Sequence, residues 1–116
     1  SQVDRADDVL ERQVKSALTD ARKGSAVLIA YEPVWAIGDQ GTAAEPEYAT
    51  ARQARITSVA EHLLETSTPC LYGGSVSVDN CAEFIGQPAV DGLFIGRAAW
   101  QASGYLEILR RCGAEL

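Results

Sequence analysis

Ala26-Val27-Leu28-Ile29-Ala30-Tyr31-Glu32-Pro33-Val34-Trp35-Ala36-Ile37-Gly38 is the stretch on which the reading of the fold rests. Its first six residues are apolar without alternation. A short run of that kind reads as a parallel strand buried on both faces, not as a surface strand. The acid Glu32 stands where the run ends, and a loop follows to about Glu45. Upstream, Ala6, Val9, Leu10, Val14, Ala17, Leu18 and Ala21 recur close to a 3.6-residue period, which predicts an amphipathic helix. Asp4 suits its N-cap and Asp7 its first turn, with Lys23 and Gly24 as stop signals.

Downstream the same alternation continues. Pro46 suits the first turn of a second helix, which carries Ile56, Val59, Ala60, Leu63 and Leu64 on one stripe. Thr66-Ser67-Thr68-Pro69 breaks it, and Cys70-Leu71-Tyr72 forms a short strand ended by Gly73-Gly74-Ser75. Ser77 is placed to cap a third helix holding Cys81, Phe84 and Ile85. Val90-Asp91-Gly92-Leu93-Phe94-Ile95 forms a third strand stopped by Gly96, and a last helix carries Tyr105, Ile108, Leu109 and Cys112. The order α-β-α-β-α-β-α predicts an α/β fold with a parallel sheet and right-handed crossovers.

Size sharpens that expectation. A (β/α)8 barrel takes about 250 residues, or about 31 per unit, and this chain has 116 residues. One helix followed by three βα units is a partial barrel without an internal domain boundary. Three parallel strands also leave two unpaired edges. The absence of methionine and the serine at position 1 suggest that the chain does not start at its natural beginning.

Composition narrows the function classes. The chain is 47% hydrophobic and 22% charged, with a formal net charge of −6. No clustered basic stripe faces a nucleic-acid backbone, and no apolar run approaches the roughly 18 residues of a membrane span. No targeting signal stands at the start. Three cysteines without metal or redox spacing argue for a reducing, cytoplasmic setting. Cys70 and Cys81 read as buried fillers and Cys112 as partly exposed, none with a reactive neighbour.

The chemistry is expected after the strands, because parallel α/β folds place ligands at the carboxyl ends of their strands. Gly73-Gly74-Ser75-Val76 and Gly96-Arg97-Ala98 offer small residues with backbone N–H groups ahead of a helix. Each is either a tight turn or part of a phosphate cradle. Glu32 is either an ion-paired acid or a poorly hydrated base at the mouth of a dry pocket.

Three segments in register resemble the triosephosphate isomerase family: Tyr31 through Gly38, Leu71 through Val76, and Val90 through Gly96. The resemblance covers nearly the whole chain, as the part of the barrel from its fifth helix through strands six to eight and the final helix. It implies a TIM barrel and a cytoplasmic isomerase of glycolysis and gluconeogenesis. That enzyme would interconvert dihydroxyacetone phosphate and glyceraldehyde 3-phosphate through an enediolate, without cofactor or metal. Glu32 would be the catalytic base. Pro33, Val34, Trp35, Ala36, Ile37, Thr42 and Ala43 would belong to a mobile lid, with Trp35 also a candidate core anchor. Gly38, Ser75, Gly96 and Arg97 would hold the substrate phosphate, and Tyr72 with the Ser75 hydroxyl would latch the lid.

Departures from the family pattern temper this. Arg97 stands where the family has a second glycine, and that pair also fits a branch handling four-carbon ketose phosphates. The far side of the lid reads Gly41-Thr42-Ala43 in place of Lys-Thr-Ala, followed by one extra residue before Pro46. The family's catalytic lysine and histidine belong to the first half of the barrel. His62, the one histidine here, sits inside a predicted helix and does not replace the latter. The expected partners are a small sugar phosphate, no nucleic acid and no membrane. The missing N-terminal half-barrel or another copy of the chain would cover the sheet, and the full-length protein would be a homodimer. The chain alone is expected to be inactive, and a non-catalytic phosphate-binding or assembly module is the rival expectation.

Overall fold

The computed structural model describes residues 1–34 and 44–114. Elements follow one another as α1 (Gln2–Ala17), β1 (Ile29–Tyr31), α2 (Pro46–Leu64), β2 (Cys70–Tyr72), α3 (Cys81–Ile85), β3 (Gly92–Leu93), a 3-10 turn (Arg97–Ala99) and α4 (Ala102–Arg111). The three strands form one parallel sheet in the order β1-β2-β3. This is the alternating α/β order expected of a partial barrel.

Helix α1 starts earlier and stops sooner than its periodicity suggests. Ser1 is the N-cap and accepts a hydrogen bond from the Asp4 N–H, so Asp4 sits in the first turn. Past Leu18 the chain leaves the helix. Gly24, at φ +80°, donates its N–H to the Leu64 carbonyl at 2.6 Å and ties this connection to the end of α2. Only glycine adopts that backbone conformation without strain. Helix α1 lies on α2 through Leu10, Val14 and Leu18. An ion pair between Arg52 Nε and Asp7 Oδ1 at 2.6 Å and a contact of Arg55 with Glu11 flank that seam.

Helix α2 buries Ala49, Ile56, Val59, Ala60 and Leu64, with Pro46 in its first turn. Its other buried positions are polar, and one of them organises the sheet. Gln53 is fully buried and donates its amide to the carbonyls of Cys70 (3.0 Å) and Ala89 (3.1 Å), so one side chain joins β2 to the approach to β3. Asp91 completes the junction by accepting the Cys70 N–H at 2.8 Å. Burial and the neighbouring Asp91 charge push the Cys70 thiol up to about 12, consistent with an inert filler.

The run 26–31 is not buried on both faces. Tyr31 is buried and Val27 and Ile29 are half-buried, whereas Leu28 and Ala30 are exposed. The helices cover one face of the sheet, and the other has no covering layer among the described residues. The ladder takes in only part of the predicted strands, 29–31 of 26–31 and 92–93 of 90–95, because the central strand β2 between them spans only Cys70–Tyr72. An apolar cleft follows the outer edge of β1, lined by Leu10, Val14, Leu18, Val27 and Ile29. A second, beyond β3, is lined by Leu93, Ile95, Tyr105, Ile108 and Leu109.

Ser77 does not cap α3; Asn80 occupies the N-cap position. The Asn80 side chain accepts the Ser77 N–H at 2.8 Å and donates to the Ser75 carbonyl at 3.1 Å, closing the turn after β2. Cys81 is buried and Cys112 half-buried, and burial first, then the neighbouring Cys81, pushes the Cys112 thiol up to about 11. His62 is exposed on α2, as expected of a surface helix residue.

Candidate active site

Parallel pairing places the ends of all three strands at one edge of the sheet. Tyr31 pairs with Tyr72 and Tyr72 with Leu93. The ladder continues one step further, with the Gly73 N–H donating to the Tyr31 carbonyl and the Phe94 N–H to the Tyr72 carbonyl, both at 2.8 Å. Glu32, Gly73 and Phe94 therefore form the next row. The turns that carry Ser75 and Gly96-Arg97 leave from that same edge.

Within this row the side chain of Glu32 lies over Gly73. A Cβ built on Gly73 would stand 2.7 Å from Glu32 Cγ, 3.1 Å from Oε1 and 3.4 Å from Cδ. The missing side chain is thus the seat of the carboxylate. From sequence the Gly73-Gly74 pair suggests only a tight turn or a source of amides. The steric role of Gly73 was missed because it depends on the register of a strand some forty residues earlier. Glu32 itself is exposed, with Tyr31 and Pro33 buried on either side. Among the described residues nothing covers the sheet face that it shares with Ala30 and Leu28.

Tyr72 is fully buried and stacks on Phe84, with ring centroids 4.1 Å apart and planes 7° from parallel. Its hydroxyl accepts the Ala44 N–H at 3.4 Å. Burial raises its pKa, which the Ala44 hydrogen bond opposes. The residue expected to latch a lid thus contacts the backbone immediately after the expected lid sequence. Tyr31, on the same face, has its pKa pushed well up by burial and by its hydroxyl contact with Tyr48. The Tyr48 ring in turn carries the Arg52 guanidinium 5.0 Å from its centroid.

The third turn is open. Gly96 is exposed, and a Cβ there would meet nothing within 4 Å. Arg97 starts the 3-10 turn, is exposed, and holds its guanidinium 5.9 Å from the Trp100 ring centroid. Of the expected lid, Pro33 is buried and Val34 is 80% exposed. Trp35, Ala36, Ile37, Gly38, Thr42 and Ala43 lie outside the described residues. Among the described residues no cluster of three or more His, Cys, Asp or Glu is arranged to hold a metal ion. No helix among them is long and apolar enough to cross a membrane.

The Glu32 side chain thus lies over Gly73 at the end of the sheet from which the turns after β2 and β3 leave. The chain is 56% identical over 115 residues to an L-erythrulose-1-phosphate isomerase of Rhizobium rhizogenes, covering 97% of this chain and 44% of that protein. It is 53% identical to the L-erythrulose-1-phosphate isomerase of Brucella abortus biovar 1, covering 97% and 45%. It is 55% identical over 109 residues to that of Rhizobium meliloti, covering 91% and 43%. The chain spans less than half the length of these relatives. The sequence model of the triosephosphate isomerase family matches residues 1–112, and the chain belongs to that family.

Proposed function

We propose that the protein carrying this chain isomerises a four-carbon ketose phosphate, with L-erythrulose 1-phosphate as substrate. The observation that carries this reading is the identity of 53–56% to relatives bearing that name, over 97% of the chain. It favours this reading over the triose reading that the family resemblance alone implies.

The substrate's chemistry suits a base of this kind. In a 2-ketose 1-phosphate, C3 bears both a hydrogen and a hydroxyl next to the C2 carbonyl. Glu32 takes the C3 proton, leaving an enediolate across C2 and C3. Returning a proton to C2 moves the carbonyl to C3. The reaction thus joins two ketoses and is not an aldose–ketose exchange. A proton on carbon is abstracted efficiently only by a close, oriented base, and the seat on Gly73 supplies the orientation. Backbone N–H groups of Gly38, Ser75, Gly96 and Arg97 grip the phosphate, as such groups grip anions at helix starts generally. Residues 33–43 form the lid, in the manner best known from triosephosphate isomerase itself, and Tyr72 with Ser75 latches it. The uncovered face and edges of the sheet are closed by an N-terminal half-barrel, and the whole protein is a cytoplasmic homodimer.

The test is a side-by-side assay of the complete protein on L-erythrulose 1-phosphate and dihydroxyacetone phosphate, with Glu32→Gln as control. The expected result is kcat/KM at least about tenfold higher on the four-carbon substrate, about 1.4 kcal/mol of transition-state discrimination, and loss of activity in the control. A preference for the triose, or full activity without the carboxylate, overturns the proposal.

A further inference from the structure

Gly104, Ile108 and Arg111 follow one another in α4 at helical spacing, which puts them on one stripe. Ile108 is buried and the Arg111 guanidinium donates to the Val78 carbonyl at 3.0 Å, so this stripe faces the body of the protein. Gly104 is half-buried between the exposed Ser103 and Tyr105. Glycine is a poor helix former, and its place inside α4 has a steric cause. A Cβ built on Gly104 would stand 2.4 Å from the Ala98 carbonyl oxygen and 3.5 Å from its carbon.

Ala98 is the middle residue of the 3-10 turn Arg97–Ala99, which follows Gly96. The Ala99 N–H donates to the Gly96 carbonyl at 3.0 Å and the Trp100 N–H to the Arg97 carbonyl at 3.2 Å, which closes the turn. In a helical turn the carbonyls point toward its C-terminal end and the first N–H groups toward its N-terminal end. The Ala98 carbonyl rests on α4 at Gly104, whereas the turn begins at Gly96, where a Cβ would meet nothing within 4 Å. One short turn thus has a fixed side against α4 and an open side at the strand edge.

We propose that Gly104 is a positioning residue: by letting the Ala98 carbonyl settle on α4, it fixes where the N–H groups of Gly96 and Arg97 stand. This role rests on the proposed function, in which those amides grip the substrate phosphate. It is separate from the part played by Gly73, which seats the base. An alanine at position 104 has to gain about 1 Å, because ordinary contact begins at 3.4 Å. The colliding oxygen belongs to the backbone and a Cβ is fixed to it, so no side-chain rotation relieves the clash and the turn shifts with its amides. Amides that hold an anion at about 2.9 Å lose their bonds on a shift of that size.

The experiment compares the complete protein with its Gly104→Ala variant in kinetics on L-erythrulose 1-phosphate and, independently of turnover, in calorimetric titration with inorganic phosphate. Gly104 is not among the positive-φ glycines and alanine is the better helix former, so local backbone preference favours the variant. The expected result is a rise of about tenfold or more in KM and in the phosphate dissociation constant, with kcat changed by less than about threefold. Gly86→Ala is the matched control: its Cβ would stand 3.2 Å from the Ala82 carbonyl at the end of α3, and both constants should stay within about twofold of the parent. Should Gly104→Ala fail to fold, Ala99→Gly slackens the same turn without adding bulk and should raise the phosphate dissociation constant by about two- to fivefold. A folded Gly104→Ala protein that binds phosphate as tightly as the parent overturns the proposal. So does an equal weakening in Gly86→Ala, or, where Gly104→Ala does not fold, an unchanged constant in Ala99→Gly. Turnover of neither L-erythrulose 1-phosphate nor dihydroxyacetone phosphate ends the proposed function, while the phosphate titration still decides the role of Gly104; a parent protein that binds no inorganic phosphate ends both.

Discussion

Gly73→Ala is the sharpest perturbation of the proposed active site, because the added carbon meets the Glu32 side chain while the Gly73 N–H bond to the Tyr31 carbonyl is kept. The added methyl carbon would stand 2.7 Å from Glu32 Cγ, where ordinary contact begins at 3.4 Å. The Glu32 side chain must therefore retreat by at least about 0.7 Å, and rotation about its Cα–Cβ bond carries the carboxylate further than its Cγ. A misplacement of about 1 Å at a reacting centre costs up to about 100-fold in rate. We expect kcat on L-erythrulose 1-phosphate to fall by about 10- to 100-fold, or about 1.4–2.8 kcal/mol of barrier. KM should change by less than about threefold, because the anion-gripping amides are left in place. Gly73 is not among the glycines with positive φ, so alanine imposes no backbone strain there. The assay is steady-state kinetics on purified complete protein, with thermal unfolding measured alongside to show that the fold survives. A folded Gly73→Ala protein with kcat within twofold of the parent would refute the claim that this glycine seats the base.

Four further outcomes follow from other contacts. Gln53→Leu leaves the Ala89 carbonyl without its amide donor and removes one of two donors to the Cys70 carbonyl; it should lower stability by about 2–4 kcal/mol, read as a shift in the urea midpoint. Glu11 has its pKa lowered by hydrogen bonds from Lys15 first and Arg55 second, so its contribution is present above the ordinary carboxylate value of 4.5 and is lost as pH falls through the lowered value; the urea midpoint should drop in acid, and Glu11→Gln should flatten that drop. Arg97→Gly removes an exposed cation worth at most about 1 kcal/mol and should raise KM by about two- to fivefold with kcat little changed; an unaltered KM and salt dependence would remove Arg97 from the phosphate site. The 116-residue chain alone should show no measurable turnover, and a rate within tenfold of the complete protein would contradict the need for a covering layer.

The features that the sequence made legible are those encoded locally. Pro46 marks the start of α2, Cys70-Leu71-Tyr72 coincides with β2, and the alternation of elements predicts a parallel sheet. The errors come from partners distant in the chain. The periodicity of α1 runs on past Ala17, but the Gly24 N–H is taken by Leu64, and that contact redirects the connection. The run 26–31 is apolar throughout, yet only Val27, Ile29 and Tyr31 turn toward the helices. The apolarity of Leu28 and Ala30 suits a layer that these strands alone do not provide. Gln53 was invisible for a similar reason, since a polar residue on a helix declares its role only when the carbonyls of Cys70 and Ala89 arrive beside it.

Position and direction of the carboxylate come from strand pairing between distant segments: the β1–β2 register sets Glu32 over Gly73, and the continued ladder sets both beside the turns after β2 and β3. Exclusion of water is a different matter, because among the described residues nothing covers the face that Leu28, Ala30 and Glu32 share, and drying it takes a second layer or a lid drawn across it. The buried Tyr72 hydroxyl, accepting the Ala44 N–H, ties the sequence after the proposed lid to the strand that leads into Gly73. On the proposed mechanism three strands aim the carboxylate, whereas exclusion of water is left to a covering layer. This barrel wedge is therefore expected to keep the geometry of a half-site without turnover.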